Sequence, residues 1–221
     1  MLYSLLMASE IHSSDSTLRA KKSFTAYHKI FIAAALVLSA AVLVASRGKA
    51  TGWETNTFRL VNDWPEAWYQ FMVVVTFFGS TLWAPILVLA TLMLRLYRLA
   101  WRLALSIITA YGFVGILKFL TDRERPIGLF QDAHVRIAET GMGFPSGHAT
   151  LITVIALTLA VYLPSRWRWA VAIPIVLVGI SRLYLGVHIP LDVIGGIALG
   201  TLVVTGLRIL PAALQHKLHI S

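Results

Sequence analysis

Six mainly apolar stretches run along the chain, at residues 30–46, 71–94, 103–120, 148–163, 170–185 and 191–207, and the segments between them hold most of the charge, proline and tryptophan. About 20 apolar residues in helical conformation cross the hydrocarbon of a bilayer, so the pattern predicts an all-α, polytopic membrane protein with about six transmembrane helices. The second stretch is interrupted at Gly79 and Ser80, and the segment before it, with Trp64, Pro65, Trp68 and Tyr69, has the aromatic character of a membrane interface. The last four stretches are short for spans. The first follows Lys21, Lys22 and Lys29 and precedes Arg47 and Lys49, a layout shared by signal peptides and uncleaved anchors. An anchor is favoured, because no small-residue cleavage site follows and the later spans need an N-terminal partner. The chain then divides into a cytoplasmic tail at residues 1–25, a single six-helix domain at 26–210 and a second cytoplasmic tail at 211–221, with Met7 an alternative start.

Composition narrows the solvent. Hydrophobic residues make up 57% of the 221 and charged ones 13%, with a mean hydropathy of +0.75. Soluble chains carry about 25% charged residues, so a water-soluble globule is excluded, and the hydrophobicity excludes disorder. Nineteen Lys and Arg against ten Asp and Glu give a net charge of +9, which in a soluble protein would suggest nucleic acid. With the N-terminus inside, however, the inner segments hold Arg19, Lys21, Lys22, Lys29, Arg95, Arg98, Arg102, Arg166, Arg168, Arg208 and Lys217 against only Glu10 and Asp15. The other eight basic residues are balanced by the other eight acids, so the whole excess lies on one face, as the positive-inside rule requires. Topology accounts for the charge, and no nucleic-acid partner is expected. The absence of cysteine excludes disulfides, thiolate metal sites and cysteine nucleophiles.

Three polar clusters sit at span ends on the predicted outer side, where unpartnered ionisable groups are costly and invite a functional reading. Residues 118–126 close the third span with Lys118 and Arg125, two helical turns apart, which point the same way if the helix persists; cations snorkelling at a helix end are the plain alternative. Residues 145–148 open the fourth span. Pro145 and Ser146 suit a helix start, Gly147 lets a ligand approach the backbone, and the free N–H groups with His148 beside them form either an anion site or an ordinary cap with an interfacial histidine. Residues 181–192 join the last two spans. There Arg182 offers a guanidinium fork, and His188 and Asp192, four apart, allow the carboxylate to fix the imidazole tautomer if a helix begins near Pro190, leaving the other nitrogen as nucleophile or base; a capped helix with an ion pair is the alternative. Together the clusters supply cations, helix-terminal donors and two histidines, an inventory for phosphoryl transfer through a phosphohistidine.

The three clusters, in this order, make the sequence resemble the type 2 phosphatidic acid phosphatase superfamily, whose pattern K-x6-RP, PSGH and SR-x5-H-x3-D is matched at eleven specified residues by Lys118 to Pro126, Pro145 to His148 and Ser181 to Asp192. The resemblance implies a helical membrane enzyme, a metal-independent phosphatase working at the outer bilayer surface on a lipid phosphate ester or diphosphate. Carried over position by position, it makes His188 the nucleophile, Asp192 its orienting partner and His148 the acid that protonates the leaving group. It makes Lys118, Arg125, Ser146, Gly147 and Arg182 the phosphate-binding residues, with no metal and no cofactor. Two histidines in opposite protonation states predict a bell-shaped pH profile. Asp122 and Glu124 receive no role, and residues 127–142 and 53–68 are expected to shape the head-group entrance. Undecaprenyl diphosphate, phosphatidic acid and phosphatidylglycerophosphate suit an outward-facing site, with lipid A phosphates the alternative. Vanadium haloperoxidases share the pocket but are soluble, which the hydropathy excludes. From another class, a membrane transporter would favour polar groups at mid-membrane rather than at one surface. Gly196 and Gly200 read as a helix-packing pair.

Overall fold

The computed structural model describes residues 25–218, with side chains placed as far as residue 210. Residues 1–24 of the expected N-terminal tail, with Met7, and residues 219–221 of the C-terminal one lie outside the described residues. Among the described residues every regular element is helical. α1 is Thr25–Ala45, α2 Gly52–Asn62, α3 Tyr69–Phe77, α4 Trp83–Met93 and α5 Tyr97–Thr121. A single turn, α6 Pro126–Leu129, precedes α7 Gly147–Leu159, α8 Ala172–Tyr184 and α9 Pro190–Leu218. Four helical stretches, Thr25–Ala45, Tyr97–Leu129, Ser165–Tyr184 and Pro190–Leu210, are long and apolar enough to cross a membrane, while Trp83–Met93 and Gly147–Tyr162 are shorter apolar helices.

The helices depart from the sequence pattern at three places, the first two with a local cause. The second predicted span is two helices, because the chain turns out of α3 after Phe77 and resumes only at Trp83, whose amide donates to the Ser80 hydroxyl at 3.2 Å. Phe77 and Phe78 pack their rings on Trp83, with centroids 5.8 and 5.3 Å away, and hold the break together. The segment after α1 is the helix α2, started by a Thr51-x-x-Glu54 capping box in which the Thr51 amide and hydroxyl both donate to Glu54 Oε2, at 2.9 and 2.8 Å. α9 runs past its expected end and takes up most of the stretch assigned to the C-terminal tail.

The packing explains why apolar character persists around whole helices. α7 is the central element, buried from Ala149 to Ala156 and packed against α5, α8 and α9. α9 reaches it through Gly196 and Gly200. A Cβ on Gly200 would lie 2.8 Å from the Thr150 carbonyl oxygen and from Thr153 Cβ, and one on Gly196 2.6 Å from the Ser146 carbonyl oxygen, so only glycine permits this approach. The outward faces stay apolar yet uncovered, with Phe119 85% and Met93 77% exposed, a surface suited to lipid and not to water. The antiparallel arrangement brings the C-terminal end of α5, the N-terminal end of α7 and the α8–α9 corner together. At the opposite end Arg208 donates to the Tyr27 hydroxyl at 2.9 Å and the Leu157 carbonyl at 2.7 Å.

Candidate active site

Each motif places its side chains by a different local device. α5 ends at Thr121 because Asp122 turns left-handed, at φ 45°, and donates its amide to the Lys118 carbonyl at 3.1 Å. Pro126 then holds Arg125 extended, at φ −79° and ψ 166°, as the cap of α6. The helix therefore does not persist from Lys118 to Arg125, and their convergence comes from a break, not from two helical turns. Lys118 donates its ammonium to the Met142 carbonyl. Arg125 is tied by Nε to the Gly141 carbonyl at 2.9 Å and by Nη1 to the Val187 carbonyl at 3.0 Å.

Ser146 caps α7: its hydroxyl accepts the Ala149 amide at 3.4 Å, and its own amide donates to the Asp192 carbonyl at 2.9 Å. The second motif is thus stitched to the third. Above Gly147 the space is open, bounded by the Tyr111 hydroxyl 3.8 Å from where a Cβ would stand. His148, half-buried in the first turn of α7, feels the charges of Arg182, Glu139, Arg125 and Lys118.

The third motif carries the centre of the site. Arg182 is 1% exposed, and its carbonyl accepts the amides of Val187 and His188 at 3.2 and 3.3 Å, which folds the α8–α9 corner back on it. Its Nη1 donates to the Thr76 hydroxyl at 2.9 Å, and its buried Nε has no partner among the described residues. His188 is equally buried. Nδ1 stands 3.4 Å from Asp192 Oδ2, and Nε2 3.5 Å from Arg125 Nη1. A guanidinium only donates, so Nε2 is the unprotonated nitrogen and Nδ1–H faces the carboxylate. α9 begins at Pro190, and Asp192 Oδ2 also accepts the Ile189 amide at 3.1 Å, so one oxygen both caps the helix and orients the ring. Burial, with Arg182, Arg125 and Lys118 close by, holds His188 well below the usual histidine range and keeps it neutral.

All eight candidate residues, Lys118, Arg125, Ser146, Gly147, His148, Arg182, His188 and Asp192, fall at this one end of the bundle. Three acids or bases that sequence reasoning passed over join them. Glu139, from the loop before α7, pairs with Arg125 Nη1 at 3.0 Å and with Arg182 Nη2, so the two guanidiniums expected to hold phosphate already share a carboxylate. Burial alone would raise Glu139, but the charge and hydrogen bond of Arg182 hold it down at about 2. Arg123 and Glu54, both 0% exposed, form an ion pair behind Asp192. The Thr51-x-x-Glu54 signature was readable as a helix start, while nothing in the loop sequence singles out Glu139. Among the described residues no group of three or more His, Asp or Glu side chains is placed to hold a metal ion.

The PAP2 superfamily model matches residues 99–215, which include all three motifs. The chain is 30% identical over 179 residues to an undecaprenyl-diphosphatase of Sulfolobus acidocaldarius, covering 79% of this chain and 86% of that one. Its fold is similar to the crystal structure of Aquifex aeolicus LpxE, with a TM-score of 0.66 and 25% identity over 74% of this chain and 98% of the other. It is also similar to the transmembrane PAP2 type phosphatidylglycerolphosphate phosphatase of Bacillus subtilis, with a TM-score of 0.60 and 27% identity over 78% of this chain and 92% of the other.

Proposed function

The chain belongs to the PAP2 superfamily, and from that premise we propose that it is a membrane lipid phosphatase that hydrolyses a phosphomonoester or diphosphate through a phosphohistidine at His188. The observation that carries the proposal is the orientation of that ring. Nδ1–H is directed at Asp192, and Nε2 stands 3.5 Å from Arg125 Nη1, on a ring that also feels the charges of Arg182 and Lys118. A nucleophile is useful only where its target sits, and the positive charge that Arg125, Arg182 and Lys118 bring to the ring supports a phosphoryl group bound there.

In the first step Nε2 attacks phosphorus in line, the N–P bond forms and the P–O bond to the lipid breaks. His148 donates a proton to the departing lipid oxygen. The ring then carries a positive charge, which Asp192 balances through Nδ1–H. In the second step water attacks phosphorus, His148 takes its proton, the N–P bond breaks and inorganic phosphate leaves. Arg125, Arg182 and Lys118 offset the charge on the equatorial oxygens, and the unpaired Nε–H of Arg182 is a donor in reserve. The open backbone at Gly147 and the amides at the start of α7 suit one further oxygen, with the Ser146 hydroxyl proton beside them. Neither step calls on a metal ion.

The substrate class follows from setting: a phosphate site at a bundle end whose outer faces are apolar takes a head group from the bilayer. Undecaprenyl diphosphate, phosphatidic acid and phosphatidylglycerophosphate are the proposed substrates, with lipid A phosphates tested beside them. The motif end is assigned to the outer face and the basic end, with both termini, to the cytoplasm of a plasma membrane. The test is phosphate release by detergent-solubilised protein from these four lipids in EDTA, with His188→Ala as control. EDTA-resistant release lost in the variant is expected. Equal release by variant and wild type removes the histidine mechanism, and cleavage of none of the four by folded protein removes the enzyme reading.

A further inference from the structure

Arg123 stands two residues before Arg125 but faces away from the phosphate cradle. It is fully buried, with Nη1 donating to Asp192 Oδ1 at 3.3 Å. Its Nη2 donates to Glu54 Oε1 and Oε2 at 2.8 and 3.0 Å and to the Lys49 carbonyl at 3.2 Å. Glu54 in turn is fixed by the capping box of α2, where it accepts the amide and hydroxyl of Thr51. A continuous chain of contacts therefore runs from the start of α2 through Glu54, Arg123 and Asp192 to His188. Glu54, Arg123, Asp192 and His188 are all buried.

A buried carboxylate pair bridged by one guanidinium is costly to assemble, and a hydrophobic replacement often serves stability as well or better, so stability is a weak reason for it. Its geometric consequence is more specific. Asp192 has two oxygens, and Oδ2 is shared between the Ile189 amide and the imidazole. With Oδ1 held by Arg123, the carboxylate cannot rotate Oδ2 off the ring. If it did, Nδ1–H would lose its acceptor, the ring could turn or change tautomer, and Nε2 would no longer offer its lone pair to phosphorus.

We propose that Arg123, clamped by Glu54, is a positioning residue for phosphoryl transfer, which sets the plane of Asp192 and through it the line of attack of His188. The inference rests on His188 being the nucleophile, as proposed above. It assigns a role in catalysis to α2, a helix that lies outside the three motifs.

The test uses the full chain in detergent, with phosphatidic acid as substrate and kcat referred to the folded fraction measured by thermal unfolding. Glu54→Gln with Arg123→Gln removes both charges together, so that Glu54 is not left as a second unpaired carboxylate beside Asp192. The expected result is a fall in kcat of about 100-fold with KM within about threefold of wild type, since a misaligned nucleophile costs rate and not binding. Arg123→Lys, which keeps one donor on Asp192, should recover about tenfold of that loss. Glu54→Gln alone, which keeps the cap of α2 and loosens the clamp, should lower kcat several-fold with KM unchanged, and decides the matter if the double variant does not fold. Wild-type kcat in the folded double variant or in Glu54→Gln, or a loss carried wholly by KM, overturns the proposal. Asp192→Asn and His188→Ala run in parallel: if they keep wild-type rates, it is the nucleophile assignment that fails, whereas their inactivity beside an unaffected Arg123 variant removes Arg123 alone.

Discussion

Glu139 places a carboxylate on Arg125 and Arg182, so a phosphoryl group bound by both, as proposed, has to displace it. Held at about 2, it is ionised throughout the range in which a phosphatase works, and the competition it offers is the same at pH 5 as at pH 9. Glu139→Gln should therefore tighten inhibition by inorganic phosphate about tenfold, the scale of one charge-assisted hydrogen bond, and lower KM with it. An unchanged inhibition constant would show that the carboxylate leaves the cradle at no cost. His188 gives a prediction of opposite dependence. Burial and three cations favour its neutral form, so protonation, which would remove the proposed nucleophile, is postponed to lower pH. The acid limb of kcat/KM should lie below pH 6.5, the ordinary histidine value, and a limb at or above 6.5 would contradict the environment described for the ring. The same sign applies to stability. The unfolded chain takes up the His188 proton near pH 6.5 and the folded chain does not, so acidification below 6.5 favours unfolding.

At the scale of elements, the close contact of α7 and α9 delivers Ser146 and His148 to the residues of the α8–α9 corner. Gly200→Val puts a branched side chain where Thr150 and Thr153 leave no room, and should lower the thermal midpoint in detergent and the activity together. Gly112→Ala, at a position with nothing within 4 Å, is the control and should do neither. A wild-type midpoint for Gly200→Val would mean that α9 can shift outward without loss. The pair of small residues was legible in the sequence because its spacing of four marks one helix face. So were the motif residues, whose types are out of place at the ends of apolar runs. The break between α3 and α4 was only half legible: Gly79 and Ser80 mark it, but the Ser80 hydroxyl and the Trp83 ring that restart and pack α4 act through space. Arg123 and Glu139 were not legible at all. Between Asp122 and Glu124, Arg123 looks like one more charge in a solvated turn, and its burial depends on α2 arriving from 69 residues earlier. Glu139 sits in a loop with no periodicity, and its partners lie 14 residues before it and 43 after it.

For the whole molecule, the deepest asymmetry is electrical. At the end that carries the site four arginines stand beside carboxylates, Arg123 with Glu54, Arg125 and Arg182 with Glu139, and Arg136 with Glu66, whereas the described residues of the other end place Arg95, Arg98, Arg102, Arg166 and Arg168 at exposed positions with no carboxylate beside them. The positive-inside rule counts Lys and Arg in the short segments beside the spans, whatever acids accompany them, and this cluster of arginines is the ground for the proposal that the site faces outward. Because the chain has no cysteine, the assignment can be tested with single introduced thiols on an otherwise silent background. Asp132→Cys, on the exposed loop before α7, should react with a membrane-impermeant maleimide added to intact cells. Ser165→Cys, exposed in the connection between α7 and α8, should react only after the membrane is opened. The reverse pattern would put the phosphate site in the cytoplasm. Head groups would then reach it from the inner leaflet, and the outward-facing lipids would have to cross the bilayer before they could be substrates.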